Sequence, residues 1–253
     1  MTARRILSPI LFFVAVLVVW EIAVRAFAVP AYILPPPTRI LAAFFVHLPL
    51  LAAHAGVTLG EILLGLLFGG AGGLGLAVLL YSSRSLEQAL HPFIIASQMV
   101  PVFAIAPLLI LWLGYSVWPK VAVAALIGFF PVAVNTLDGL RSTRADMLDL
   151  FRTMGASRRQ TLAKLLLPTA LPSLFSGLKV AATLSVVGAT IGEWVGARRG
   201  LGYLMLQSNA RLRVDLVFAA ILALTGIGLF LFAGFRIIER RVLHWTAHDR
   251  RSE

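Results

Sequence analysis

The chain alternates between long apolar runs and short polar stretches. A bilayer core is crossed by about 20 apolar residues in a helix, and six runs reach that length: 7–28, 56–80, 90–113, 119–137, 170–192 and 215–235. The pattern predicts an all-α polytopic membrane protein of about six transmembrane helices, with residues 1–253 forming a single transmembrane domain. Glycine and proline inside such runs are tolerated where neighbouring helices cover the backbone. The opening "MTARRILSPILFFVAVLVVW" has the basic start of a signal peptide. Its apolar run continues too far and no small-residue cleavage site follows, so it is expected to be an uncleaved first span.

The stretches between the runs carry patterns of their own. Three consecutive prolines in "ILPPPTRI" exclude a regular helix there. Thr38 is then placed to N-cap "RILAAFFVHLPL" as a short interfacial amphipathic helix. Residues 193–215, "EWVGARRGLGYLMLQSNARLRVD", are too polar to span and predict a re-entrant or interfacial loop. In the second run, Gly65, Gly69 and Gly73 recur every four residues on one helix face, a spacing that lets helix backbones approach closely. A phosphate-binding loop would need Gly-Lys-Ser/Thr at a helix start, which is absent.

The longest polar interruption, 138–168, reads as two short helices. In "DMLDLFRTMG" the apolar residues Met147, Leu150, Phe151 and Met154 follow i, i+3, i+4, i+7, giving one apolar face. Gly155 is the expected C-cap, Ser157 the N-cap of a second helix "RRQTLAKLLL", and Pro168 its end. Such an elbow is too short to be a domain and suits docking, its apolar ridge seated in a partner's groove. The competing reading is a plain connector whose arginines rest on the membrane surface.

Composition sharpens this picture. Only 13% of residues are charged, against about 25% in soluble domains. The net charge of +11 has no interleaved aromatics of the kind nucleic-acid binding uses. It is instead distributed as the positive-inside rule requires. With the N-terminus on the cytoplasmic side, fourteen of the 22 Lys and Arg fall on cytoplasmic segments and seven on outer ones, which puts both termini and the elbow inside. Absence of cysteine excludes disulfides and thiolate chemistry. The histidines show no metal-ligand spacing; His244 and His248 are four apart but lie in a solvated tail.

The segment 149–168 resembles the cytoplasmic signature of permease subunits of bacterial ABC importers. That signature is Glu-Ala-Ala, three residues, Gly, nine residues, then Ile-x-Leu-Pro. Here Gly155 is followed by nine residues and then Leu165-Leu166-Leu167-Pro168. Asp149 stands for the Glu, and Leu150-Phe151 replace Ala-Ala. "ILPPPTRI", "VPVFAIAPLLILWLGYS", "FFPVAVNTLDGLRS" and "GEWVGARRGLGYLM" extend the resemblance over most of the chain, to nitrate/sulfonate/taurine-type permeases. Within these it is most like permeases for thiamine pyrimidine precursors (hydroxymethylpyrimidine or its formylamino relative) and riboflavin-type ones. The resemblance implies a type I ABC importer permease fold in the bacterial inner membrane. It implies a coupling helix built from Asp149, Leu150, Phe151, Met154, Gly155, Ala156, Ser157, Leu167 and Pro168, docking on a cytoplasmic ATPase. The partners implied are two such ATPase subunits, which bind the ATP and Mg, and an extracytoplasmic binding protein delivering to the outer loops, 193–213 included. This chain itself would bind no cofactor. A second copy is expected, because six spans with one coupling element make half of a symmetric conduit.

Ionisable or amide groups inside spans are costly and so mark candidate sites. Glu61 is either pathway-lining or a structural tie between spans. Gln98 and Met99 precede the Pro101 break, where freed carbonyls could face a cavity. Asn135 is expected to hydrogen-bond another helix, Asp138 to pair with Arg141, and Lys179 to snorkel to the cytoplasmic interface. Glu193, beside the interfacial Trp194, is a candidate gate at the outer mouth. The pathway set is therefore Glu61, Gln98, Met99, Asn135 and Glu193, with no catalytic residue. A pathway with so little mid-span positive charge favours a neutral or weakly cationic ring compound over a sulfonate or nitrate. Alternatives from other classes are an ATP-independent transporter and a membrane-embedded enzyme using Glu61, Asp138 or Glu193.

Overall fold

The computed structural model describes the backbone of residues 2–244 and the side chains of 7–244 except Pro9, His91, Phe93, Ile95 and Gln98. The described residues form helices and connectors, with no strand. In chain order these are α1 (Thr2–Ala26), α2 (Pro37–Val46), α3 (Leu48–Ser82), α4 (Arg84–Gln98), α5 (Val102–Leu113), α6 (Trp118–Arg141), α7 (Ala145–Thr153), α8 (Arg158–Thr161), α9 (Leu167–Gly196), α10 (Leu201–Ala210) and α11 (Val214–Val242). A π-helical turn, Leu162–Leu166, joins α8 to α9 without a break.

Four stretches are long and apolar enough to cross a bilayer: Leu48–Ser82, Trp118–Arg141, Arg158–Gly196 and Val214–Val242. They correspond to four of the six predicted spans, and α1 covers the first. The predicted span 90–113 is not one helix. It divides into α4 and α5, of 15 and 12 residues, each shorter than a bilayer core requires. Pro101 has no N–H to give and disfavours helical backbone at Val100, and its own extended backbone (φ −63°, ψ 114°) starts α5 afresh.

Helix α6 is the centre of the bundle, clasped between α3 and α9 along two seams of small residues. A methyl group built on Gly69 would stand 2.6 Å from the Ala125 carbonyl oxygen, and one on Gly73 2.7 Å from that of Phe129. On the other side the same construction puts Gly177 2.7 Å from the Pro131 carbonyl oxygen and Gly188 2.8 Å from the Ala124 Cα. The four-residue glycine repeat of α3 thus serves close packing, as its spacing predicts. Three apolar clusters follow one another along the bundle. One joins Leu51, Leu201, Leu204 and Leu216 at the α10 end. The next surrounds Ile62, Val132 and Ala182. The last holds Ala77, Leu80, Leu140 and Leu166 at the elbow end. Large apolar side chains such as Phe12, Leu67, Leu111 and Phe230 point outward, more than 60% exposed, as lipid-facing surface requires.

Two local expectations change. The α2 helix starts at Pro37, and its N-cap, Pro36, makes no side-chain bond. Thr38 lies one residue inside, where its N–H and hydroxyl both donate to the Glu21 carboxylate at 3.0 and 2.8 Å. Glu21 therefore caps α2 from α1. The second change is at Pro168, which does not end the elbow's second helix. The π turn before it bonds Leu167 N–H to Leu162 O, one residue further back than an α-helix would. The shifted register absorbs the proline, and the elbow runs into α9 as a helix of 39 residues. At 1.5 Å per residue that is about 58 Å, well beyond a hydrocarbon core of about 30 Å.

Gly69→Val should destabilise the protein by about 1–3 kcal/mol, since the seam has no room for the side chain. Gly75, whose added Cβ meets nothing, is the control: Gly75→Ala should be neutral or stabilising. Thermal unfolding of both variants in detergent measures the difference.

Candidate functional site

Two places concentrate polar chemistry, one at each end of the bundle. At the elbow end, α7 buries none of its residues. Met147, Leu150 and Met154 are 43%, 51% and 74% exposed and share one face. Leu148 points the other way, against the apolar cluster of Leu80 and Leu166. Phe151, predicted on the ridge, is half-buried.

The turn that follows is fully specified by its residues. Gly155 takes φ +72°, its N–H donates to Arg152 O and the Ala156 N–H to Phe151 O, both at 3.0 Å. These two bonds are the Schellman closure, which selects glycine at that position. Ser157 then makes a reciprocal capping box: its hydroxyl accepts from Gln160 N–H at 3.3 Å and its N–H donates to Gln160 Oε1 at 2.8 Å. Asp149 accepts from Arg152 Nη1 at 2.9 Å, both exposed. At the start of α7, Arg144 donates to both Asp146 oxygens and holds that carboxyl below the usual carboxylate range, with the Met147 N–H assisting. Its contribution is present while Asp146 is ionised and is lost as pH falls through that lowered pKa. Leu167 and Pro168 are half-buried where the elbow meets the bundle.

At the opposite end lies a buried polar cluster. Glu193 is 1% exposed, Glu61 3% and Thr58 fully buried. Glu193 Oε1 accepts from the Thr58 hydroxyl at 2.6 Å, and Oε2 accepts from the N–H groups of Gly202 and Tyr203 at 2.5 and 3.3 Å. The Thr58 oxygen in turn accepts from Leu201 N–H at 2.8 Å. Gly200 N–H and carbonyl lie 3.0 and 2.9 Å from His54 Nδ1. The first amides of α10 are thus met by side chains of α3 and α9, where a helix start otherwise leaves them unsatisfied. Gly200 is at φ +117°, and a side chain there would overlap the Glu193 carboxyl. The Glu61 carboxyl meets that of Glu193, while its Oε2 has no hydrogen-bond partner among the described residues. Lys120, 93% buried nearby, donates to Ser116 O at 2.7 Å.

The five pathway candidates therefore do not form one site. Glu61 and Glu193 meet inside the protomer. Met99 is 77% exposed at the α4–α5 break, and the Gln98 side chain lies outside the described residues. Asn135 is half-buried and donates to Pro131 O of its own helix at 2.8 Å, not to another helix. The neighbour it faces on α9 is Gly177, which has no side chain to bond. Two predicted ion pairs also change. Arg141 pairs with Glu87 of α4 rather than Asp138, and Lys179 reaches across to Glu239 of α11 at 2.8 Å rather than to the membrane surface. His54, Glu87 and Glu239 were not identifiable as partners from spacing. The one sequence signal for the cluster was an acid nine residues before "GYLM", in a glycine-rich stretch.

Residues 62–244 match the family described as binding-protein-dependent transport system inner membrane component. The chain belongs to that family. It is 46% identical to a probable ABC transporter permease protein of Haemophilus influenzae, over 90% of this chain and 93% of the relative. It is 41% identical to the formylaminopyrimidine transport permease ThiX of Halalkalibacterium halodurans, over 94% and 96%. Its fold is that of a chain in an inward-facing structure of the MetNI methionine ABC transporter, with TM-score 0.68, covering 78% of this chain and 97% of that one at 21% identity. This permease is thus a multi-pass membrane subunit of an ABC importer and not an enzyme.

Replacing Glu193 with alanine leaves the amides of Gly202 and Tyr203 without their acceptor, while the Thr58 hydroxyl keeps the His54 carbonyl oxygen at 3.2 Å. Each buried group left unpaired costs about 1–3 kcal/mol. Hydrogen exchange at residues 201–203 should speed up by about tenfold or more in Glu193→Ala, with protection at 128–133 in α6 unchanged. Unaltered exchange at 201–203 would show that Glu193 does not hold α10.

Proposed function

We propose that this permease forms half of a homodimeric translocation pathway, that its α7 elbow docks a cytoplasmic ATPase, and that its substrate is a thiamine pyrimidine precursor or related neutral heteroaromatic compound. The observation carrying the docking assignment is the α7 ridge. Met147, Leu150 and Met154 are exposed on one side of α7, whose Leu148 packs against the bundle, and the Schellman closure and the capping box fix its angle. A solvated apolar ridge on a rigid elbow fits a partner's groove. The Leu150-Phe151 pair, where the family signature has two alanines, calls for a wider groove in this ATPase.

The elbow is continuous with α9, and the last turn of α9 carries Glu193, which holds α10. Movement imposed at the ATPase face is carried along one helix of 39 residues to the opposite end, where a binding protein would dock. A rigid element linking both ends supports alternating access by rocking of the bundle. The lysine and arginine bias supports an inner-membrane placement with the elbow and both termini in the cytoplasm. The similarity to ThiX over nearly the whole chain supports the pyrimidine class, and the scarcity of mid-span positive charge argues against sulfonate or nitrate.

Leu150→Asp places a charge on the exposed ridge and should leave the fold intact, since Leu150 is 51% exposed. The variant should capture the ATPase about tenfold or more weakly and lose uptake in proteoliposomes. Undiminished capture would exclude α7 as the dock. A panel of labelled formylaminopyrimidine, hydroxymethylpyrimidine, riboflavin and taurine, offered with the cognate binding protein, should show ATP-dependent uptake of a pyrimidine. Uptake of taurine alone would overturn the substrate assignment.

A further inference from the structure

The elbow has a second face. Behind α7, on the side of Leu148 rather than of the ridge, lies a cleft of about 640 Å³ between the elbow and the end of α3. Leu148, Leu162 and Leu166 line it with apolar surface, and Arg152, Arg158 and Arg159 line it with basic side chains. Tyr81 and Thr161 add hydroxyls, and no carboxylate lines it. Arg152 shares its charge with Asp149, whereas Arg158 and Arg159 are exposed and form no ion pair among the described residues. The cleft sits where the apolar run of α3 gives way to Ser82, Ser83 and Arg84, beside the first turns of the helix that continues as α9.

We propose that this cleft holds the headgroup and upper acyl chain of an anionic phospholipid, wedged between the elbow and the bundle. Several observations favour a lipid over a soluble anion. An inorganic phosphate would use the arginines and leave the leucine surface wet, whereas a phosphodiester on a glyceride uses both. Basic pockets between helices at the cytoplasmic boundary are the setting in which lipid phosphates bind. Arginine also matches phosphate with paired N–H donors. The position also gives the lipid a consequence. It would contact Leu148 and Ala156 behind the docking ridge and so bias the elbow's angle. That consequence rests on the docking role proposed above, whereas occupancy of the cleft does not.

The test uses the permease assembled with its ATPase in nanodiscs of phosphatidylcholine, with or without phosphatidylglycerol, and counts retained lipid by native mass spectrometry. One phosphatidylglycerol per protomer should be retained in preference to phosphatidylcholine. Arg158→Gln/Arg159→Gln should reduce that preference by about 10- to 30-fold, at about 1 kcal/mol per arginine, and Arg158→Lys/Arg159→Lys should restore part of it. Both positions are exposed, so thermal stability should not change. Equal retention of the two lipids, or an unchanged preference in the glutamine variant, overturns the proposal. Displacement of the lipid by millimolar inorganic phosphate would make this a soluble-anion site and also overturns it. Weaker ATPase capture by the glutamine variant, equal in both lipid mixtures, would make the cleft part of the protein interface, a third contradiction. Failure of the ATPase dock at α7 would appear in the Leu150→Asp capture assay and leave the lipid count untouched.

Discussion

Everything in this permease hangs on how closely α6 is held by its two neighbours. In a bilayer the hydrophobic effect gives helices little reason to associate, because lipid tails are as apolar as leucine. Association rests on packing, and packing requires small residues where backbones meet. Gly69 and Gly73 on one side of α6, and Gly177 and Gly188 on the other, bring backbone atoms to distances at which no side chain fits. With α3, α6 and α9 fixed as one body, their ends become defined positions in space. One end carries the elbow and the other carries the Glu193 cluster. Movement at one end can then reach the other without being absorbed between.

The two ends solve the same problem in different ways. Each must hold a short helix at a set angle beside the bundle, and short helices have little stability of their own. The elbow uses local chemistry: a left-handed glycine, a reciprocal cap, and a π turn that lets the chain pass Pro168. The other end uses long-range chemistry. Helix α10 starts on acceptors supplied by His54, Thr58 and Glu193, which are 9 to 146 residues away in the chain. The elbow presents Met147, Leu150 and Met154 away from the rest of its own chain. The Glu193 cluster is sealed, as an element meant to hold should be.

This difference explains what the sequence made legible. The elbow's turn, cap and ridge could be read because they depend on neighbours within seven residues, and the glycine seam because its period is regular. The division of residues 90–113 was harder. Pro101 signalled a disturbance, but a run of apolar residues hides whether a helix kinks or restarts. Pro168 misled in the opposite sense, because a π turn compensates for a proline and leaves no mark on composition. The roles of Glu61, Lys179 and Arg141 depended on partners 54 or more residues distant, and Glu193 ties Thr58, 135 residues away, to Gly202 and Tyr203. Spacing cannot supply such partners. An acid inside a span looks alike whether it lines a pathway or caps a helix, and for Glu193 the bonds to Thr58, Gly202 and Tyr203 describe a cap.

The central claim is that the α7 ridge is where the ATPase docks and where its movement enters the bundle. The chain has no cysteine, so single cysteines at Leu150 or Met154 can carry a cross-linker with no competing thiol. In the assembled transporter both positions should cross-link to the ATPase subunit, and a cysteine at Arg211, beyond α10, should not. Cross-linking from Arg211 with none from Leu150 or Met154 would contradict the account.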